Sequence, residues 1–506
     1  MKMRTLDFIV FVLYMGGISL YGSLFYYKNK TPGAFTLGNR TIPRWVVTLS
    51  IFATFVSSIS FIALPGSAYQ TNWNAFVFSL SIPVASVIAF LFFVPLYRKV
   101  NSPSAYTLLE ERFGPWARIY ASTCYLLTQL MRVGTILYLL AIMLNAVFGW
   151  KIAPVIIITG VVVMLYSMLG GFQAVVWTDA IQGLLLISGA LICAAFLLLN
   201  MPEGPDQLFS IARQHHKFSL GSFGPGLNEP TFWVVLLYGI FINLQNFGID
   251  QNYVQRYMAS RNDNDARNAA LFGGMLYIPV SLLFVFIGTA LYGFYHSGAA
   301  QLPVELADIS KADRIFPYFI VSELPAGLTG LLIASVFAAG MSTVSTSFNS
   351  SATVFLTDYY RRYFNTNASD SDTMKVLYFS SAVICILGML IGIAMINVKS
   401  ALDAWWKLAS IFSGGMLGLF LLAAVSRIRK KGAAIAGILA GIIIILWLSA
   451  GPLIFGNDIP GGHLHSYLAI VFGTTAIFIT GFLFSWIPNK KRDKGQEDFN
   501  SRKHAK

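Results

Sequence analysis

The run Ala339-Gly340-Met341-Ser342-Thr343-Val344-Ser345-Thr346-Ser347-Phe348-Asn349-Ser350-Ser351 crowds hydroxyls into an otherwise apolar stretch. Hydroxyl oxygens are hard ligands, and hard ligands suit small hard cations. Ser342, Ser345 and Thr346 stand at i, i+3 and i+4, so on a helix they share one face. Two readings fit that face. One is helix–helix packing, where Ser and Thr are common. The other is a sodium site. Two charged residues inside apolar runs carry further chemistry. Arg132 lies in Leu127-Thr128-Gln129-Leu130-Met131-Arg132-Val133-Gly134-Thr135, with no acid one helical turn away. An Arg at the centre of a membrane helix costs about 2.5–3.5 kcal/mol on insertion scales. Its charge needs carbonyls, a distant acid such as Asp250, or a ligand carboxylate held in a two-pronged grip. Asp179 poses the mirror-image problem: a buried carboxylate is costly unless a cation lies near. Its alternative reading is a structural interaction near the cytoplasmic end of its helix.

The elements that must position these residues are membrane helices. Mean hydropathy is +0.66, 56% of the 506 residues are hydrophobic and only 11% are charged. A soluble chain carries about 25% charged residues. Runs near 20 apolar residues, each able to span the hydrocarbon, recur at about 6–26, 44–71, 75–97, 116–148, 153–169, 172–199, 231–250, 268–294, 315–358, 376–397, 404–426, 432–453 and 466–487. That predicts an all-α integral membrane protein with about thirteen spans. The first run is too long for a signal peptide's apolar core and lacks a small-residue cleavage site. The net charge of +13 follows from topology rather than from nucleic-acid binding. Most of the 35 Lys and Arg fall in 27–44, 97–118, 251–267, 359–375, 427–431 and the tail from Lys490. The positive-inside rule then predicts the N-terminus outside and the C-terminus in the cytoplasm. Cys124, Cys193 and Cys385 lie in apolar runs without metal or redox spacing and read as packing residues. Asn367-Ala368-Ser369 has a glycosylation pattern but falls on the predicted cytoplasmic side.

Two of the runs look interrupted. In 44–71 the centre reads Ala53-Thr54-Phe55-Val56-Ser57-Ser58-Ile59-Ser60, followed by Pro65-Gly66. In 231–250 the later half reads Asn243-Leu244-Gln245-Asn246-Phe247-Gly248-Ile249-Asp250. They are the second and seventh spans, five helices apart, which is the sequence pointer to an inverted-repeat transporter with a midplane site. Unwound backbone at that depth is tolerated where it lines a cavity, and its carbonyls can bind an ion. The implied division is an extra N-terminal helix and cytoplasmic loop (1–43), a first five-helix repeat (44–200), an external loop (201–230), a second repeat (231–428), two C-terminal helices (429–487) and a basic cytoplasmic tail (488–506).

Four stretches resemble the sodium:solute symporter family, which includes sodium–glucose, sodium–proline and sodium–iodide carriers. They are Gly170-Gly171-Phe172-Gln173-Ala174-Val175-Val176-Trp177-Thr178-Asp179-Ala180-Ile181-Gln182, then Asp250-Gln251-Asn252-Tyr253-Val254-Gln255-Arg256-Tyr257, then Pro65-Gly66-Ser67-Ala68-Tyr69, and the hydroxyl run ending Asn349-Ser350. The resemblance implies a five-plus-five core with one helix before it and two after. It implies a sodium site from the carbonyls of Ala53, Val56 and Ala339 and the hydroxyls of Ser342 and Thr343, with Thr343 standing where Ser is more usual. It implies a possible second sodium site from Asp179, Ser342, Ser345 and Thr346, so one or two Na+ in all. An Arg at 132 resembles the sialic-acid-carrying branch, where the matching Arg holds the sugar acid's carboxylate. Asn243 matches a sugar-contacting Asn, Ser79 departs from the longer polar residue expected there, and Ser57, Ser60, Gln245 and Asn246 complete the substrate-binding set. Phe55, Tyr69, Phe247 and Trp406 are candidate gates.

The expectation is a sodium-coupled symporter importing an acidic sugar, N-acetylneuraminate first, by alternating access in a bacterial plasma membrane. Its partners are a small anionic substrate and the lipid bilayer, with no nucleic acid and no obligatory protein partner. The rival cargoes are a short monocarboxylate, a uronic or pantothenate-like acid, a neutral sugar or an amino acid. A receptor or channel would lack coupled uptake. Nothing in the chain sets up a nucleophile, an acid–base dyad or a phosphate loop, so an enzyme is the least fitting class.

Overall fold

The computed structural model describes residues 4–100, 102–397, 414–424, 430–455 and 460–486. Its regular elements are all helical. The principal ones are α1 (Thr5–Ser23), α2 (Arg44–Phe55), α3 (Ser58–Gln70), α4 (Trp73–Val100), α5 (Pro115–Phe148), α6 (Ile152–Leu199), α7 (Phe232–Ile249), α8 (Gln251–Ala259), α9 (Asp263–His296), α10 (Leu328–Val354), α11 (Asp370–Ala394), α12 (Gly414–Ala424), α13 (Lys431–Phe455) and α14 (Leu468–Ser485). Among the described residues, ten helices are long and apolar enough to cross a membrane, or eleven with α2 and α3 counted as one bent span. Trp406 and the tail from 488 lie outside the described residues.

Local chemistry explains the stops and starts. Side-chain oxygens of Thr231, Asn262 and Ser369 accept from the backbone N–H groups of Val234, Asp265 and Asp372, capping α7, α9 and α11. Between α2 and α3 the backbone is extended at Val56 and Ser57, and the two helices bend by 51°. Ser57 caps α3, its Oγ accepting from Ser60 N–H at 3.4 Å. The break ends the i→i−4 ladder, so carbonyls in the last turn of α2, Ala53 among them, lack the donors of a continuing helix.

The second interruption differs from its expected position. Residues 243–249 remain helical within α7, and the extended residue is Asp250 (φ −73°, ψ 121°), between α7 and α8. The amides of the Asn-rich half do not unwind the helix; Asn243 Nδ2 donates sideways to Ser81 Oγ at 2.9 Å. Asp250 caps α8 through Oδ1, which accepts from Asn252 N–H at 2.8 Å. A third break falls inside α6. Gly171 has φ 58° and ψ −156°, a conformation reserved for glycine. Asn29 lies against it and donates through Nδ2 to the carbonyls of Leu169 (3.0 Å) and Met168 (3.4 Å), which the break exposes.

α10 is the most enclosed element, buried along nearly its whole length. It packs on α6, α5, α1, α3 and α2. At its start, Asp7 of α1 accepts from the N–H groups of Gly327 (2.7 Å) and Gly330 (3.0 Å), while Arg4 donates to the Leu324 carbonyl at 3.0 Å. The hydroxyl run is thus held in the interior by helices on every side.

Candidate functional site

Two polar centres lie in this interior, each holding an aspartate and an arginine. The first gathers α2, α6, α8 and α10 around Asp179, which is fully buried. Its Oδ1 accepts from Ser342 Oγ at 2.6 Å, and its Oδ2 accepts from Ser50 Oγ at 2.7 Å and Arg256 Nη2 at 2.6 Å. Arg256 is fully buried as well. Its Nε donates to Ser50 Oγ at 2.7 Å, its Nη2 also to Thr346 Oγ1 at 2.8 Å, and its Nη1 to the Asn252 carbonyl at 2.5 Å. The structure therefore brings Asp179, Ser342 and Thr346 together. Ser345 and Thr343 turn their hydroxyls to their own helix, donating to the carbonyls of Ser342 (3.1 Å) and Ala339 (3.1 Å). Ala53, Val56 and Ala339 are buried where α2 and α3 pack against α10.

Arg256 escaped the sequence reading. Its position after a predicted span places it with Arg261 and Arg267 in a charged cytoplasmic loop. Its residue types carried a signal nonetheless. Asn252, Tyr253, Val254, Gln255 and Tyr257 around it are all buried, and a helix with polar residues wholly inside needs internal partners. Asp179, for its part, required a cation, and the guanidinium supplies one.

The second centre lies at the α7–α8 junction. Arg132 of α5 is partly buried, and its charge acts on the Asp250 carboxylate. Other polar side chains on α5 face the same junction. Tyr125 Oη donates to Asn252 Oδ1 at 2.8 Å, and Gln129 Oε1 accepts from Ser347 Oγ at 2.8 Å and from Asn252 Nδ2 at 3.4 Å. Asn252 therefore touches both centres, through its side chain here and its carbonyl at Arg256. Phe55, the last residue of α2, closes over the region, with ring centroids 4.8 Å from Tyr253, 5.2 Å from Phe247 and 5.6 Å from Tyr277.

The remaining members of the expected substrate set are spread more widely. Ser57 is the cap residue of α3, and Ser60 stands in its first turn. Ser79 pairs with Ser281 at 2.6 Å, a contact between α4 and α9. Asn243 is buried, with its Oδ1 lacking a hydrogen-bond partner among the described residues. Gln245 is buried and Asn246 half-buried on α7. Tyr69 lies at the far end of α3, where its carbonyl accepts from Lys217 Nζ at 2.7 Å.

Residues 35–441 match the Sodium:solute symporter family. The chain belongs to the sodium:solute symporter family. It is accordingly a secondary transporter rather than an enzyme, with sodium as its coupling ion, and its apolar helices make it a multi-pass membrane protein. It is 30% identical over 483 residues to a sodium/sialic acid symporter of Aliivibrio fischeri, covering 95% of this chain and 92% of the relative. It is 30% identical over 491 residues to one of Proteus mirabilis, covering 95% of each. Its fold matches a solved sodium-coupled sialic acid symporter, a substrate-bound, outward-open state with a novel sodium site. The TM-score is 0.89 at 28% identity, over 96% of this chain and 98% of that one.

Proposed function

We propose that this symporter imports an acidic sugar, N-acetylneuraminate, with one or two sodium ions, and that Arg132 grips the substrate carboxylate. The observation that carries the reading is the near-complete match in fold to a sodium-coupled sialic acid symporter. Arg132 supports it chemically, because a guanidinium beside the α7–α8 break fits an anionic cargo and is not needed for a neutral one. Ser57, Ser60, Ser79, Asn243, Gln245 and Asn246 are assigned to the rest of the substrate's path. The unpartnered buried Oδ1 of Asn243 is the best-supported of these as an acceptor for a sugar hydroxyl. The carbonyls of Ala53, Val56 and Ala339 with the hydroxyls of Ser342 and Thr343 make the first sodium site. Asp179, Ser342, Ser345 and Thr346 make the second.

In the proposed architecture α6 crosses twice, since its 48 residues would extend about 72 Å as one straight helix, more than double the about 30 Å hydrocarbon. With α2–α3 and the segment containing α12 as one span each, the total is thirteen; the odd count puts the termini on opposite sides, and the Lys/Arg bias puts the N-terminus outside and the C-terminus inside. The core would be two five-helix inverted repeats, 44–200 and 231–428, and the transporter would need no protein partner. Sodium drives the cycle only by binding one state better than the other. Bound between α2 and α10, it would tie the first broken helix to the hydroxyl helix, and its release inside would loosen that tie. The deciding experiment is uptake of radiolabelled N-acetylneuraminate into proteoliposomes under an inward sodium gradient, with potassium as control. Sodium-dependent accumulation is expected. None in folded protein would remove sialic acid and direct the search to other carboxylates.

A further inference from the structure

We propose that Arg256 is a tethered cation that competes with sodium for Asp179, so that filling the second site requires its guanidinium to swing away. The proposal rests on the assignment of a sodium position to Asp179, Ser342, Ser345 and Thr346. Two of those four side chains are already engaged by the guanidinium, which donates through one nitrogen, Nη2, to Asp179 Oδ2 and Thr346 Oγ1. Asp179 and Arg256 cancel in charge, and both are fully buried. A sodium ion added beside the pair would leave one net positive charge in a low-dielectric interior, whereas a sodium ion exchanged for the guanidinium keeps the balance at Asp179. The competition is thus between two cations for one carboxylate.

The guanidinium also has an alternative hold. Nη1 is anchored on the Asn252 carbonyl one helical turn back, so release of Nη2 need not free the whole group. Asn252 in turn reaches Tyr125 and Gln129 beside Arg132. Displacing Arg256 from Asp179 therefore pushes on a residue shared with the centre assigned to substrate. Sodium at the second site and substrate at Arg132 would communicate through Asn252.

The test is sodium-dependent thermal stabilisation of purified protein, measured in NaCl against KCl without any substrate. This readout stands even if the acid assignment fails, because no acid is present. Arg256→Gln removes the competing charge and leaves Asp179 unpaired in potassium. The variant should melt lower than the parent in KCl and recover in NaCl, with half-maximal stabilisation at a sodium concentration lower by roughly tenfold. Asp179→Asn in the same background should abolish that extra response. A purely structural Arg256 predicts equal destabilisation in the two salts, and that outcome overturns the proposal, as does a parent with no sodium response. If Arg256→Gln is not recovered folded in either salt, Arg256→Lys decides by the same measurement. A larger sodium shift than the parent's supports competition, and an equal or smaller one overturns it.

Discussion

The two aspartate–arginine centres are built from the same pair of residue types and differ in closure. Around Asp179 four helices meet, and each of its oxygens and each guanidinium nitrogen of Arg256 has a partner within 2.8 Å. Around Asp250 the carboxylate caps a helix start, and Arg132 acts on it as a nearby charge from α5 while remaining partly exposed. A closed pair can hold helices together or exchange one cation for another. An open pair beside a break can admit a third charged group. The contrast assigns stability and ion response to the first centre and cargo recognition to the second.

Breaking the closed pair is expected to do the most damage. Asp179→Ala leaves Arg256 uncompensated among buried groups and should cost about 3–5 kcal/mol. Denaturant unfolding in detergent measures it, and a loss near zero would contradict the contrast. At the open centre, Arg132→Gln should leave the fold intact while weakening cargo binding by about 2–5 kcal/mol, roughly 30-fold or more in apparent affinity. Concentration-dependent uptake reads this out. A variant that unfolds would make Arg132 a second structural cation and erase the distinction. Next in size comes the kink that delivers Asp179. Gly171→Ala forces a side chain into φ 58° against Asn29 and should cost about 1–3 kcal/mol in melting stability.

The smallest effect belongs to an ion network centred on Glu110, which stands outside the spans between α4 and α5. Arg118 donates to Glu110 at 2.8 Å and to Asp358 at 2.6 Å, and Arg362 also pairs with Glu110. Burial pushes the Glu110 carboxyl upward, but the hydrogen bonds and charges of Arg118 and Arg362 outweigh it and hold the group below its usual 4.5. A depressed carboxylate stabilises the fold above the unfolded value, and the contribution is lost as pH falls through the lower, folded one. Because Glu110 keeps part of its side chain in solvent, the contribution is about 1 kcal/mol or less. Glu110→Gln should lower the melting temperature slightly at pH 7 and not at all in acid below the folded value. Equal shifts at the two pH values would show that the pairing contributes nothing.

The membrane helices were legible because twenty apolar residues have few other uses. The break at Val56–Ser57 falls among the small and hydroxyl residues expected to interrupt that span, and the glycines at 170–171 separate the two apolar runs of α6. The second interruption was misread by several residues. Polar side chains suggested unwinding, yet Asn243 finds Ser81 across a helix interface and keeps its own backbone regular. The hydroxyl face could be read from spacing alone, whereas the orientation of each hydroxyl could not. Ser342 and Thr346 turn inward to Asp179 and Arg256, while Thr343 and Ser345 bond back to their own helix. Arg256 was illegible for a related reason. Linear position placed it in a loop, and only three-dimensional convergence on an acid 77 residues earlier gives it a partner.

The carboxylate of Asp7 sets an order of assembly. Carried by α1, it is answered by backbone N–H groups at Gly327 and Gly330, 320 or more residues downstream. Until those residues are synthesised, α1 holds an acid whose eventual donors do not yet exist. A ribosome stalled before residue 327 would therefore leave Asp7 without these two donors, even with α1 already packed on α6.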